Sequence, residues 1–144
     1  MFDIPSDDPH RRPDGVDDAT VEAVGRVTEA LERVERARGR LYDFHQLIGG
    51  ADAQVGAAAD ALEAAGHTAE AERLRTDIVG RNVLEGRWTF QVIEEFDRVY
   101  YEPLRAAEQA VRAALVAGRP HVYEAELKAQ RITPGRRHHE WGPD

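Results

Sequence analysis

The stretch VGRNVLEGRWTFQVIEEFDRVYYEP, Val79 to Pro103, gathers Trp88, Phe90, Phe96, Tyr100 and Tyr101 into a single segment. Most of the remaining chain is alanine, valine, leucine, arginine and carboxylates. Aromatic side chains bury the most area per residue, so a core in this chain is expected to assemble against this segment. At 100° per residue, Leu74, Ile78, Trp88, Val92, Phe96 and Val99 cluster on one helical face. Helical pattern therefore extends from Asn82 to Ala117, with Pro103 expected to kink or restart the helix, because it lacks an N–H and crowds the preceding turn. Upstream, Gly80 is the expected break from a helix that begins at Thr68, since an internal glycine costs about 1 kcal/mol.

Working back toward the N-terminus, Val24, Val27, Leu31, Val34, Leu41 and Ile48 fall three, four and seven residues apart, one stripe on a long first helix starting at Asp17 or Asp18. The opposite face offers Glu22–Arg26, Glu29–Arg33 and Glu32–Arg36 as i,i+4 pairs. Gly49-Gly50 reads as the end of this helix. An alanine-rich helix over residues 51–65 comes next, closed by Gly66, with Thr68 as the N-cap of its successor. Gly118 ends the aromatic helix, and a short last helix covers about Pro120 to Ile132. The expected fold is all-α. It is an irregular four- to five-helix bundle in which two long antiparallel helices, each about 45 to 55 Å, carry a shorter helical hairpin.

Composition shifts divide the chain into three parts. Residues 1–16, with Pro5, Pro9, Pro13 and Gly15, read as a disordered arm, residues 17–132 as the bundle, and residues 133–144 as a flexible basic tail containing His138 and His139. The net charge of -8 disfavours nucleic acid as a partner, since binding requires a basic surface that releases counterions. No run of about 18 apolar residues is present, so a membrane is not expected as a partner. The opening Met1-Phe2-Asp3-Ile4-Pro5 has neither a basic nor an apolar region of a signal peptide, and a cytoplasmic location is the default expectation. Cysteine is absent, which removes disulfides, thiolate metal sites and cysteine nucleophiles. Gly-rich phosphate loops, HExxH and G-x-S-x-G are also absent, and the only serine, Ser6, lies in the N-terminal arm.

Polar residues that interrupt the apolar faces form the candidate site. Arg38 and His45, with Tyr42 at the edge, interrupt the first helix. Arg81, Glu85 and Thr89 fall within the Trp88 face, with Asn82 at its border. Matching axial rise brings His45, Arg81 and Glu85 toward one end of the bundle. Three uses suit such a cluster. One is a structural network in which Arg81 pairs with Glu85. Another is a pocket opposite Trp88, where Arg38 or Arg81 meets a small anionic ligand. The third is a divalent transition metal held by His45 and Glu85. Bundle metal sites use a Glu-x-x-His spacing that the long helices lack, so no cofactor is favoured. Glu94, Glu95 and Asp97 read as a solvated face.

The segments LYDFHQLIGGAD, GRNVLEGRWTFQVIEEFD, HVYEAELK and RRHHE resemble those of a group of small helical proteins from GC-rich actinobacteria. That resemblance implies a helical fold and a source, and it transfers no catalytic residues. The expected function is non-enzymatic association, as a homodimer or as an adaptor for a protein partner. The alternative is a ligand- or metal-binding bundle, with or without enzymatic activity, using His45, Arg81 and Glu85.

Overall fold

A computed structural model describes residues 1–143. The fold is all-α, and among the described residues the only β-type pairing is an isolated bridge between Leu84 and Arg87. Helix α1 spans Asp18–Ala64, α2 Thr68–Asp77, α3 Thr89–Phe96, α4 Glu102–Val116 and α5 Val122–Arg131, with a π-helical segment at Asp97–Tyr101 between α3 and α4. The chain divides into two compact units. The first comprises Met1–Arg33 with the chain from Leu104 onward, and the second Val34–Pro103.

Gly49-Gly50 does not end α1, which runs on through the alanine-rich stretch to Ala64. Neither glycine takes a positive φ. Propagating a helix already formed costs only the local glycine penalty, and the alanines beyond the pair are the best helix formers. The stop comes at Gly66, where φ is 91°. There the His67 N–H donates to the Leu62 carbonyl and the Gly66 N–H to the Glu63 carbonyl, the paired bonds of a Schellman end. The expected hairpin is thus the last part of α1 turning into α2, whose N-cap is His67 rather than Thr68. Arg75 of α2 ties the turn together, donating to both Asp60 and Glu63 at 2.7 Å.

The expected long helix from Asn82 begins instead at Thr89. Residues 79–88 form a loop whose turn is closed by the Arg87 N–H donating to the Leu84 carbonyl, and the Gly80 N–H is held by Asp52 Oδ1 at 2.8 Å. Gln91 Oε1 accepts the Trp88 N–H and starts α3. Pro103 stands at the restart of the α-helix, since α4 begins at Glu102 after the π segment. Its missing N–H and its crowding of the carbonyl four residues back coincide with the π segment, in which the Glu102 N–H reaches the Asp97 carbonyl five residues away. The wider turn changes the phase of everything beyond it. Interior positions run Thr89, Ile93, Asp97 and Tyr101 in steps of four, whereas Val99, expected to face inward, is 58% exposed. A regular α-helix drifts by about 40° at each such step, and the π segment absorbs the drift of the last one, from Asp97 to Tyr101.

In the first unit, Val21 and Val24 of α1 pack with Val116 and Val122, and Val16 and Val111 close the cluster. Gly25 allows α5 to approach: a Cβ built there would lie 3.3 Å from Cβ of Tyr123. Glu108, almost fully buried, accepts hydrogen bonds from Thr28 Oγ1 at 3.0 Å and from Arg112 Nε at 2.9 Å. Both terminal segments, read from composition as a disordered arm and a flexible tail, are packed in this unit. Arg12 forms a two-pronged pair with Glu126 of α5, both contacts 2.7 Å. Phe2 stacks on Trp141 with ring centroids 5.1 Å apart, and Trp141 Nε1 donates to Asp8 Oδ2 at 2.7 Å. That bond, with the His10 N–H, holds the Asp8 carboxyl below its ordinary range. Composition weighs each terminus alone, and here each supplies the other's partner. The last residue of the tail lies outside the described residues.

Candidate interaction surface

The second unit contains every residue of the sequence-derived polar cluster, and it brings together only part of it. Arg38 lies on α1 facing the π segment, where Nε and Nη2 donate to Asp97 at 2.7 and 2.9 Å. Its guanidinium also sits over two rings, 5.1 Å from the centroid of Tyr42 and 4.8 Å from that of Tyr101. The Tyr101 hydroxyl donates to Glu35 at 2.7 Å. Hydrogen bonding by Arg38 lowers the Asp97 pKa, and the same bond raises that of Arg38. The numbering of these pairs, 35 with 101 and 38 with 97, shows that α1 and the π segment run antiparallel here.

His45 and Tyr42 meet edge to face at 6.4 Å. His45 Nδ1 is buried and has no hydrogen-bond partner among the described residues. Thr89 is buried and Trp88 half-buried at the start of α3. The other three residues separate from this group in their bonding. Arg81 is exposed and donates to the Asp77 carbonyl at 3.3 Å, without the expected Glu85 pair. Glu85 and Asn82 are exposed on the 79–88 loop, where the Glu85 carbonyl accepts Arg87. Matching axial rise with His45 requires Arg81 and Glu85 to stand on a helix. A loop starting before Asn82 removes the i,i+4 geometry that an Arg81–Glu85 pair requires.

The arrangement around Arg38 is self-contained. Its bidentate carboxylate partner is Asp97, so the charge that was to meet a small anion is neutralised from within the unit. Asp97 is hidden in the sequence because it stands in a run with Glu94 and Glu95, which suggests solvent. The signal that could have found it is its place four residues after Ile93, on the face that begins with Thr89. His45 and Glu85, the candidate metal ligands, belong to no group of three converging ligand side chains among the described residues.

What this unit does present is apolar. Tyr42, Phe44, Leu47, Ile78, Val79, Leu84, Phe90, Val99 and Tyr100 are each more than a third exposed, with Leu47 at 71%. On α1, Phe44, Leu47 and Ala51 project together, on the side away from Arg38, Tyr42 and His45. The whole chain exposes 10271 Å². A compact monomer of 16.1 kDa exposes about 7,400 Å², and two separate compact bodies of half that mass about 8,900 Å² together. The excess is therefore on the order of 1,000 Å² or more, however the units are counted. No helix among the described residues is long and apolar enough to cross a membrane. Compared with family models, curated proteins and solved structures, the chain matches none.

Proposed function

We propose that the protein acts by association, two copies of the chain covering each other's exposed apolar surface on the second unit. The observation that carries this reading is the run of exposed apolar side chains on the second unit: Leu47 is 71% exposed and Phe44 39%, on one helical face. A stable interface removes about 800 Å² from each partner, so the contact would draw on most of these exposed side chains. A second copy suits the patch electrostatically. Arg40 and Asp43, paired at 3.5 Å, flank Phe44, so this border carries both signs. An isologous contact sets a patch against itself, and a border of mixed sign tolerates that where a border of one sign would repel. The antiparallel helices and the Arg38–Asp97 link act as the frame that presents the face, not as a ligand pocket.

Light scattering over a dilution series tests the reading. The expected mass is twice that of the chain, and Phe44→Glu with Leu47→Glu is expected to give a monomer with unchanged helical circular dichroism. A wild-type chain that stays monomeric at the highest concentration would overturn it. So would a dimer unaffected by the double substitution.

A further inference from the structure

In the first unit, three side chains from two distant parts of the sequence converge. Glu32 projects from α1, while His121 and Glu124 project from the start of α5, and one ligand-type atom of each lies within 4.8 Å of the others. His121 Nδ1 and Glu124 Oε1 are 3.8 Å apart. That separation is too long for a hydrogen bond, and it is the spacing of two ligands about 2.1 Å from a shared ion at a wide angle. No arginine or lysine among the described residues lies within 4.0 Å of either carboxylate, and the expected Glu32–Arg36 pair is not formed. Two carboxylates brought together with no arginine or lysine beside them repel each other. Elsewhere in the same unit Glu22, Glu126 and Glu108 each have an arginine. The neighbouring His10 ring, 6.1 Å from that of His121, is fixed by a hydrogen bond between its Nδ1 and the Pro120 carbonyl at 2.8 Å.

We propose that Glu32, His121 and Glu124 form a binding site for a divalent transition cation, with zinc as the best match. One imidazole nitrogen and two carboxylate oxygens are a borderline donor set that suits zinc, leaving water to complete its coordination. Such an ion would replace the carboxylate repulsion with attraction and clip α1 to the beginning of α5. This site is independent of the association surface, since its three residues all belong to the first unit.

Equilibrium dialysis of the tag-free full-length chain against zinc chloride, followed by elemental analysis and a thermal melt, tests the site. Wild type is expected to hold one zinc per chain and to melt higher with zinc than without. Glu32→Gln and His121→Ala are each expected to weaken binding at least tenfold and to abolish the melting shift. A His138→Ala/His139→Ala chain is expected to behave as wild type. All three residues are exposed, so circular dichroism should show the variants folded. No zinc uptake by wild type overturns the proposal. It is equally overturned if uptake survives Glu32→Gln and His121→Ala but is lost with the tail histidines, which would mark the binding as adventitious.

Discussion

The two units are built from similar lengths of chain, yet they bury different things. The first closes a valine cluster around Val21, Val24, Val116 and Val122, seals it with the Glu108 network, and packs both terminal segments against α5. The second has more aromatic side chains, yet of its seven only Tyr101 is buried. Tyr101, Ile93, Thr89, Ala59 and Ala71 are inside, while Phe44, Phe90 and Tyr100 are more than a third exposed. Its best-defined interior feature is polar, the Arg38–Asp97 pair between Tyr42 and Tyr101. Small β-branched side chains on helices with a close approach at Gly25 can close a core within one short unit. Large side chains spread over α1, α2, α3 and the 79–88 loop outnumber the positions that cover them.

The contrast can be tested by damaging each unit in turn. Val116→Asp has the largest expected effect. It places a charge at a fully buried position with no partner and should cost more than about 3 kcal/mol, enough to unfold the first unit in a denaturant titration. A small effect there would mean that the valine cluster does not hold the unit together.

Arg38→Ala comes next, expected to destabilise the second unit by about 1 to 3 kcal/mol, because it leaves the half-buried Asp97 carboxylate unpaired. The pH dependence sharpens the point. The folded Asp97 pKa lies below the ordinary 3.8, so its pair with Arg38 contributes stability above that value and loses it as pH falls through the folded pKa. Acid titration of the variant should lack this component. Equal acid sensitivity in both chains would place the loss at another carboxylate.

The smallest effect is expected from Gly50→Ala. Gly50 sits inside α1 with helical φ, and nothing lies within 4 Å of an added Cβ, so alanine should raise stability by about 0.5 to 1 kcal/mol in a thermal melt. A loss of stability would restore the helix end that the glycine pair suggests.

That glycine pair shows where local signals stop. Propensity marks Gly49-Gly50 and Gly66 alike as helix ends, but only Gly66 adopts the left-handed conformation that closes one. The difference lies in the residues on the C-terminal side of each glycine, because His67 and Thr68 begin a turn while Ala51 continues a helix. In the same way, the 100° rule puts Thr89 and Phe96 inward but also Val99, which lies off the face that Thr89 and Ile93 set and is exposed. Of the candidate site, Arg38, Tyr42 and His45 are legible as intruders on an apolar stripe. Their partner Asp97 is not, since its orientation depends on helix phase. His121 gives no local signal of a role, because Glu32 lies far away in the sequence and only the fold brings them together.

The sequence by itself determined the helical class, the closing of the last helices near Gly118 and Arg131, and the absence of cysteine chemistry. These depend on residue type and on spacings of three and four, which act within one or two turns. Tertiary structure alone decided which carboxylate neutralises Arg38, that the two terminal segments pack on each other, and which apolar side chains stay uncovered. Those outcomes depend on the phase and approach of segments distant in the chain, and no local spacing encodes either.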